Sequence, residues 1–174
     1  MGFARIACEE IWQGHICGVR VDTFRYDDGE KATREIVTHP GAVTVLPYDG
    51  ERIWLVRQPR EPVGEQALLE LPAGKLDREG EELEATARRE LAEEIGMGAR
   101  EWRHLVSFYN SPGLLSEENH LFLAQDLYEE ALDAEEDERI EIVPIEVARL
   151  DETIAGLRDA KTLIGLLWFR AFLR

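Results

Sequence analysis

The sequence predicts an α+β fold, in which mixed β-strands and a few helices pack in layers. Short apolar runs separated by turn residues occur along most of the chain, and only three stretches are typical of helices. The length of 174 residues suits one domain, or one domain with a small appendage. Because 44% of the residues are hydrophobic, the chain can bury a sizeable core without disulfide bonds.

The N-terminal third of the chain is predicted to form strands. Residues 6–38 contain apolar runs around an Asp-Asp-Gly turn at 27–29, where glycine accepts a positive φ. The runs GAVTVLPY and RIWLVRQ are joined by Tyr48-Asp49-Gly50-Glu51, which predicts a β-hairpin.

Strands and helices also alternate in the second half of the chain. The runs RHLVSFYN and HLFLAQDL predict two strands joined by the loop SPGLLSEEN. An acidic, solvated connection over residues 129–138 then precedes the strand IEIVPI. Two helices, near residues 146–158 and 160–173, are expected to close the fold.

The longest predicted helix covers residues 81–95. Its apolar stripe has a spacing of four residues, and Gly96 follows as a left-handed C-terminal cap. The stripe consists of Leu83, Ala87, Leu91 and Ile95. The spacing therefore predicts that one face of this helix packs on the core.

Three acidic residues share another face of this helix. Glu90, Glu93 and Glu94 are spaced i, i+3 and i+4, so their carboxylates lie on adjacent turns. Carboxylates placed so closely repel one another unless water or cations separate them, and Mg²⁺ prefers oxygen ligands of this kind. The spacing is compatible with a cation site and also with an ordinary solvated helix face.

The net charge of −16 excludes some classes of partner. Twenty Lys and Arg residues stand against 36 Asp and Glu residues, so the chain lacks the basic surface that nonspecific nucleic-acid binding requires. Such a charge also disfavours anionic membranes. We therefore expect no nucleic-acid and no membrane partner, and an anionic substrate would need a local device such as bound cations.

The expected compartment is the cytoplasm. Cys8 and Cys17 form neither a CxxC pair nor a metal-ligand cluster, which favours reduced thiols. No segment approaches the roughly 20 apolar residues of a membrane-spanning helix.

The string GKLDREGEELEATARRELAEEIGM resembles the Nudix box, G-x5-E-x7-R-E-U-x-E-E-x-G-U, in which U is aliphatic. It departs from that pattern at one point, because six residues separate Gly74 from Glu81 where the box has five. The positions that match are Gly74, Glu81, Arg89, Glu90, Leu91, Glu93, Glu94, Gly96 and Met97. The resemblance implies a Nudix fold, with mixed sheets sandwiched between helices (α/β/α).

The sequence around the box resembles the ADP-ribose pyrophosphatase branch of this family. The segments HPGAV, VRQPR, ELPAG, SPG, SEE and HLFLA occur in the order that this branch shows. In this branch a small N-terminal β domain is swapped across a homodimer. The resemblance thus implies a division into residues 1–38 and a Nudix domain of residues 39–174, and it implies a homodimer.

The resemblance implies a role for each box residue. Glu90 and Glu94 would be the main Mg²⁺ ligands, together with the Ala73 carbonyl. Glu93 would be a further ligand or a catalytic residue. Arg89 and Glu81 would orient these carboxylates by ion pairing. Two or three Mg²⁺ ions, for which Mn²⁺ can substitute, would activate a water molecule and neutralise the phosphates.

Further site residues are expected outside the helix. The loop after Ser111 would supply the catalytic base, with Glu117 the first candidate and Glu118 the second. Substrate contacts are expected from Arg60, Arg57 and Gly74, although Arg57 suits an ordinary strand-end charge equally well. Trp12 or Phe24 would stack on the base of the substrate, and each is also compatible with a core position.

The predicted function is Mg²⁺-dependent hydrolysis of the pyrophosphate bond of ADP-ribose to AMP and ribose 5-phosphate. One alternative is another substrate, either a nucleoside diphosphate sugar such as GDP-mannose or an oxidised nucleotide. A second alternative is a non-catalytic nucleotide-sensing module, which the intact acidic residues of the box disfavour. An acidic interaction domain without catalysis would leave the ordered box unexplained.

Overall fold

The computed structural model describes residues 2–130 and 139–173, and its strands and helices confirm the predicted α+β class. In chain order the strands are β1 (Phe3–Gln13), β2 (Gly18–Tyr26), β3 (Lys31–Thr38), β4 (Ala42–Pro47), β5 (Arg52–Arg60), β6 (Glu65–Glu70), β7 (Ala73–Lys75), β8 (Met97–Tyr109), β9 (Glu118–Glu129) and β10 (Glu141–Glu146). The helices are α1 (Leu83–Ile95), α2 (Leu150–Gly156) and α3 (Ala160–Phe172), with 3-10 turns at Glu61–Val63 and Val147–Arg149.

The chain divides into two compact units. The first, here called the N-terminal unit, comprises Met1–Gly41 and Phe108–Glu118. The second, here called the larger unit, comprises Ala42–Ser107 and Asn119–Arg174. The loop at 108–118 thus belongs to the same unit as the N-terminal strands, although the sequence assigned it to the Nudix domain. The predicted domain boundary at residue 38 stays a prediction.

The N-terminal unit is built on an antiparallel sheet with the strand order β1-β2-β3. Its second turn is the predicted Asp-Asp-Gly turn, where Gly29 has a φ of 87°. The loop after β8 is fastened to the edge of β3, because Val37 donates its N–H to Leu114 and accepts a hydrogen bond from Ser116 N. All residues of β1 are exposed, so this strand has no cover within the unit.

The larger unit contains two further sheets. One has the order β7-β4-β9-β8, with β4 parallel to β9 and antiparallel to β7. The other is antiparallel, with the order β10-β5-β6. All six residues of β4 are buried, which explains why its sequence is an unbroken apolar run around Thr44. Strand β4 therefore forms the middle of the core on which the site is built.

Helix α1 packs its predicted stripe on this core. Ala87 and Leu91 are fully buried, and both belong to one cluster with Val43 and Phe122. The helix begins at Leu83, two residues later than predicted, because the chain still turns at Glu81, whose N–H donates to the Arg78 carbonyl.

Several local predictions have clear outcomes. Gly96 caps α1 in the left-handed region as predicted, and Gly50 has a positive φ between β4 and β5. The predicted β-hairpin is wrong, because β4 and β5 belong to different sheets and only an isolated bridge between Tyr48 and Ile53 joins their ends. Apart from residues 129 and 130, the predicted acidic connection lies outside the described residues. Within residues 2–130 and 139–173, no helix is long and apolar enough to cross a membrane.

Candidate active site

The site is formed where α1 faces the short strand β7. The Ala73 N–H donates to Glu94 Oε2 at 3.3 Å. A Cβ atom at Gly74 would overlap the Glu90 carboxylate, so only glycine lets the backbone come this close. Glu90 and Glu94 are 9% and 7% exposed, which means that both box carboxylates are held against β7 and not in bulk water.

Arg89 ties the remaining acids of the box together. Its guanidinium donates to Glu90 Oε1 and to Glu93 Oε2, both at 2.7 Å. It also contacts Glu81 Oε2 at 3.3 Å. Burial alone would lower the pKa of Arg89, but its carboxylate partners outweigh burial and raise that pKa above its ordinary value. Arg89 therefore stays charged and compensates the buried acids.

Glu81 is held from two sides. Its Oε2 accepts a hydrogen bond from Thr86 Oγ1 at 2.9 Å, and the Arg89 guanidinium lies next to it. Burial would raise the pKa of Glu81, but these hydrogen bonds dominate and lower it. Glu81 is thus an ionised anchor for Arg89.

The extra residue before Glu81 is absorbed in a turn. Glu81 N donates to the Arg78 carbonyl at 3.1 Å, and Gly80 takes a φ of 78° inside that turn. Because the turn closes before α1 begins, Glu81 still reaches Arg89. The inserted residue therefore leaves the order of carboxylates on α1 unchanged.

The acids of the box are brought together, but Arg89 lies between two of them. Among the described residues, no group of three or more His, Cys, Asp or Glu side chains is arranged to hold a metal ion as it stands. The donor set nevertheless fits a hard divalent cation, because it offers carboxylate oxygens next to the backbone of Ala73 at the start of β7. Glu90, Glu94 and the Ala73 carbonyl are the groups that suit such an ion.

The two arginines predicted to bind substrate are already engaged in ion pairs. Arg60 donates Nε and one terminal nitrogen to the two oxygens of Glu70, at 2.6 and 2.9 Å. Arg57 pairs with Glu141 at 2.9 Å, its neighbour across the β5–β10 ladder. One edge of the Arg60 fork is therefore occupied by a carboxylate, a contact that sequence reasoning did not find.

The two candidate bases lie in the N-terminal unit. Glu117 Oε1 is 4.0 Å from His39 Nδ1. That nitrogen accepts a hydrogen bond from Gly41 N at 3.1 Å. Glu118 is half-buried at the start of β9.

The two aromatic candidates also lie in the N-terminal unit. Trp12 is 56% exposed, and its indole covers Gly14, where a Cβ would overlap the ring. Phe24 packs edge-on against Phe3, with ring centroids 5.4 Å apart, and both line a cavity of about 370 Å³. Neither ring belongs to the apolar core cluster of the larger unit.

A model of the NUDIX domain matches residues 38–163, more than half of the chain. The chain therefore belongs to the NUDIX family and is a Nudix hydrolase.

Two relatives and one solved structure illustrate the similarity. The ADP-ribose pyrophosphatase of Bacillus subtilis (strain 168) is 39% identical over 166 residues, which cover 92% of this chain and 89% of that protein. The methanol dehydrogenase activator of Bacillus methanolicus is 37% identical over 169 residues, with the same two coverages. A crystal structure of an ADP compounds hydrolase has a TM-score of 0.87 at 24% identity, covers 99% of this chain and 95% of its own, and confirms the predicted Nudix fold.

Proposed function

We propose that this protein hydrolyses the pyrophosphate bond of ADP-ribose to AMP and ribose 5-phosphate in a Mg²⁺-dependent reaction. The observation that carries the proposal is the pair of nearly buried carboxylates, Glu90 and Glu94, held against β7 within the box. The 39% identical relative that is named ADP-ribose pyrophosphatase supports this choice of substrate.

The residues of α1 and β7 prepare the site for a polyanion. Mg²⁺, when bound, supplies neutralisation of phosphate charge and a lower pKa for water. Glu90, Glu94 and the Ala73 carbonyl are its proposed ligands, with Glu93 as a further one. Glu81 holds Arg89, and Arg89 fixes the orientation of the Glu90 and Glu93 carboxylates by the contacts described above.

The proposed base is a glutamate that takes a proton from the attacking water. Glu117 is our first candidate because its side chain is partly buried in the loop after Ser111, which the family resemblance assigns to the base. Glu118 is the second candidate. Glu117→Gln and Glu118→Gln should differ in kcat, and near-normal kcat in both would refute a base in this loop.

Arg60 is the proposed phosphate contact of the larger unit. Since Glu70 occupies one edge of its guanidinium, Arg60 would donate to a phosphate through the other edge. Arg57 is a second proposed phosphate contact, since its pair with Glu141 is exposed and pairs of that kind are weak.

The proposed assembly is a homodimer of cytoplasmic protein. Strand β1 supports it, since all of its residues are exposed, including Phe3 at 67%, Ile11 at 54% and Trp12 at 56%. A second copy of the chain would cover this apolar strand.

A panel of nucleoside diphosphate derivatives tests the substrate. The protein is incubated with Mg²⁺ and ADP-ribose, GDP-mannose or an oxidised nucleotide, and the products are resolved by chromatography. We expect the highest kcat/KM for ADP-ribose. Preferred cleavage of GDP-mannose would show that ADP-ribose is not the main substrate but would leave the proposed reaction type unchanged. Absence of turnover with every compound would refute the proposed hydrolase activity.

A further inference from the structure

Hydrogen bonds join the start of α3 to Leu71, in the segment that leads to β7. Thr162 Oγ1 accepts the N–H of Leu71 at 2.7 Å and donates to Asp159 Oδ2 at 2.5 Å. Asp159 Oδ2 also accepts the Thr162 N–H at 2.9 Å, as the N-cap of α3. Thr162 and Leu71 are both fully buried, so neither can exchange these bonds for water.

A second connection runs in parallel through charged groups. Lys161 Nζ donates to Asp159 Oδ1 and to Glu70 Oε2. Glu70, which is 1% exposed, receives the Arg60 fork on its two oxygens. Burial would raise the pKa of Glu70, but Arg60 and Lys161 dominate and lower it. Two neighbouring residues, Glu70 and Leu71, are therefore both fastened to the first turn of α3.

This fastened segment leads directly to the site. Ala73 is two residues beyond Leu71, and its N–H contacts Glu94. Gly74 follows, with the Glu90 carboxylate packed on its Cα. Proline at position 72 restricts the backbone between the fastened residues and Ala73. Only Pro72 therefore separates the fastened Leu71 from Ala73.

We propose that Thr162 and Lys161 are positioning residues for the active site, which hold Glu70 and Leu71 so that Ala73 and Gly74 lie against Glu94 and Glu90. This inference rests on the proposed function, which supplies the metal ligands. It adds two residues at the start of α3, outside the Nudix box, that hold those ligands in place. Neither residue touches substrate in this role.

Thr162 offers a test in which the size of the side chain barely changes. Thr162→Val removes the hydroxyl and leaves the Leu71 N–H buried without its acceptor. Thr162→Ser keeps the hydroxyl and is the matched control. Lys161→Met and Lys161→Arg form a second pair, which serves if Thr162→Val does not fold, since Lys161 is 15% exposed.

Binding of Mn²⁺ alone is the first readout, measured from the loss of the free-ion electron paramagnetic resonance signal. We expect Thr162→Val and Lys161→Met to bind Mn²⁺ about 10-fold more weakly than the wild type, and Thr162→Ser and Lys161→Arg to recover most of the affinity. The Tm of each variant, measured in parallel, shows that the chain is folded at the assay temperature.

Steady-state kinetics with ADP-ribose give the second readout. At a Mg²⁺ concentration that saturates each variant, kcat should return to within about 3-fold of the wild type, because the role is one of placement. Mn²⁺ affinity equal to that of the wild type in Thr162→Val and Lys161→Met would overturn the inference. Intact Mn²⁺ binding by the wild type without ADP-ribose hydrolysis would instead overturn the proposed function and leave this role standing.

Discussion

At the scale of single residues, the proposed metal site depends on the carboxylates of Glu90 and Glu94 and on the missing side chain of Gly74. Glu90 and Glu94 are nearly buried, and burial of carboxylates is unfavourable unless cations compensate them. Arg89 supplies part of this compensation. The roles of Glu90, Glu94 and Gly74 can be tested separately, because each can be changed without altering the apolar stripe of α1 that packs on the core.

Glu94→Gln keeps the size of the side chain and removes its charge. We expect kcat with ADP-ribose to fall at least about 100-fold, because a proposed metal ligand loses its charge, while the circular dichroism spectrum stays the same. Glu84→Gln is the matched control, since Glu84 lies on the exposed face of α1 and pairs with Arg88. An unchanged kcat in Glu94→Gln would remove Glu94 from the site.

Gly74→Ala introduces a methyl group where the Glu90 carboxylate lies. The carboxylate is the end of a flexible side chain, so the protein should fold and Glu90 should move. We expect kcat/KM to fall about 10- to 100-fold. Gly156→Ala provides the comparison, because open space surrounds that position. Equal activity of the two variants would show that Glu90 needs no such contact.

At the scale of elements, the sequence was most informative about α1. Its stripe and the alignment of its glutamates follow from a local period of 3.6 residues, so both could be predicted without knowledge of the fold. The partner of Arg60 could not be predicted in this way. Glu70 is 10 residues away and Lys161 is 91 residues beyond Glu70, so no local pattern links these residues. Arg60 was therefore predicted to bind phosphate without its carboxylate partner.

The decrease in the free energy of unfolding at acidic pH should depend on the ion pairs that Glu70 forms with Arg60 and Lys161. Because the pKa of Glu70 is lowered in the folded state, its contribution to stability is present above the unfolded-state pKa and is lost as pH falls through the folded-state value. Glu70→Gln should lower the free energy of unfolding at pH 7 by about 3 kcal/mol, and the difference from the wild type should shrink below about pH 4.5.

Urea unfolding at a series of pH values measures this effect. Glu141→Gln is the control, since Glu141 forms an exposed pair with Arg57 and should change stability by less than about 1 kcal/mol at every pH. A Glu70→Gln difference that stays constant from pH 7 to pH 3 would show that the ionisation of Glu70 is not coupled to folding.

At the scale of the whole molecule, the net charge of −16 and an anionic substrate are compatible. Most of the acids are dispersed, whereas those of the box are gathered around Arg89 and β7. Composition alone would have argued against a pyrophosphate substrate. The order of a few glutamates along one helix predicted the family, which the domain match then showed.

Assembly is the second property of the whole molecule that can be measured. We expect light scattering to give twice the mass of 19.9 kDa. Ile11→Glu in β1 should shift the protein toward monomer, because it places a charge on the exposed apolar strand. Ile142→Glu, on exposed β10, should leave the mass unchanged. A wild-type protein that is monomeric and active would contradict the proposed dimer.

The central claim is hydrolysis of the pyrophosphate bond of ADP-ribose by the acids of the Nudix box. Its most direct test is to quantify the products formed from ADP-ribose by the wild-type protein in Mg²⁺ and after chelation with EDTA. We expect AMP and ribose 5-phosphate in equal amounts with Mg²⁺ and neither product with EDTA. Cleavage that persists in EDTA, or intact ADP-ribose in both reactions, would contradict it.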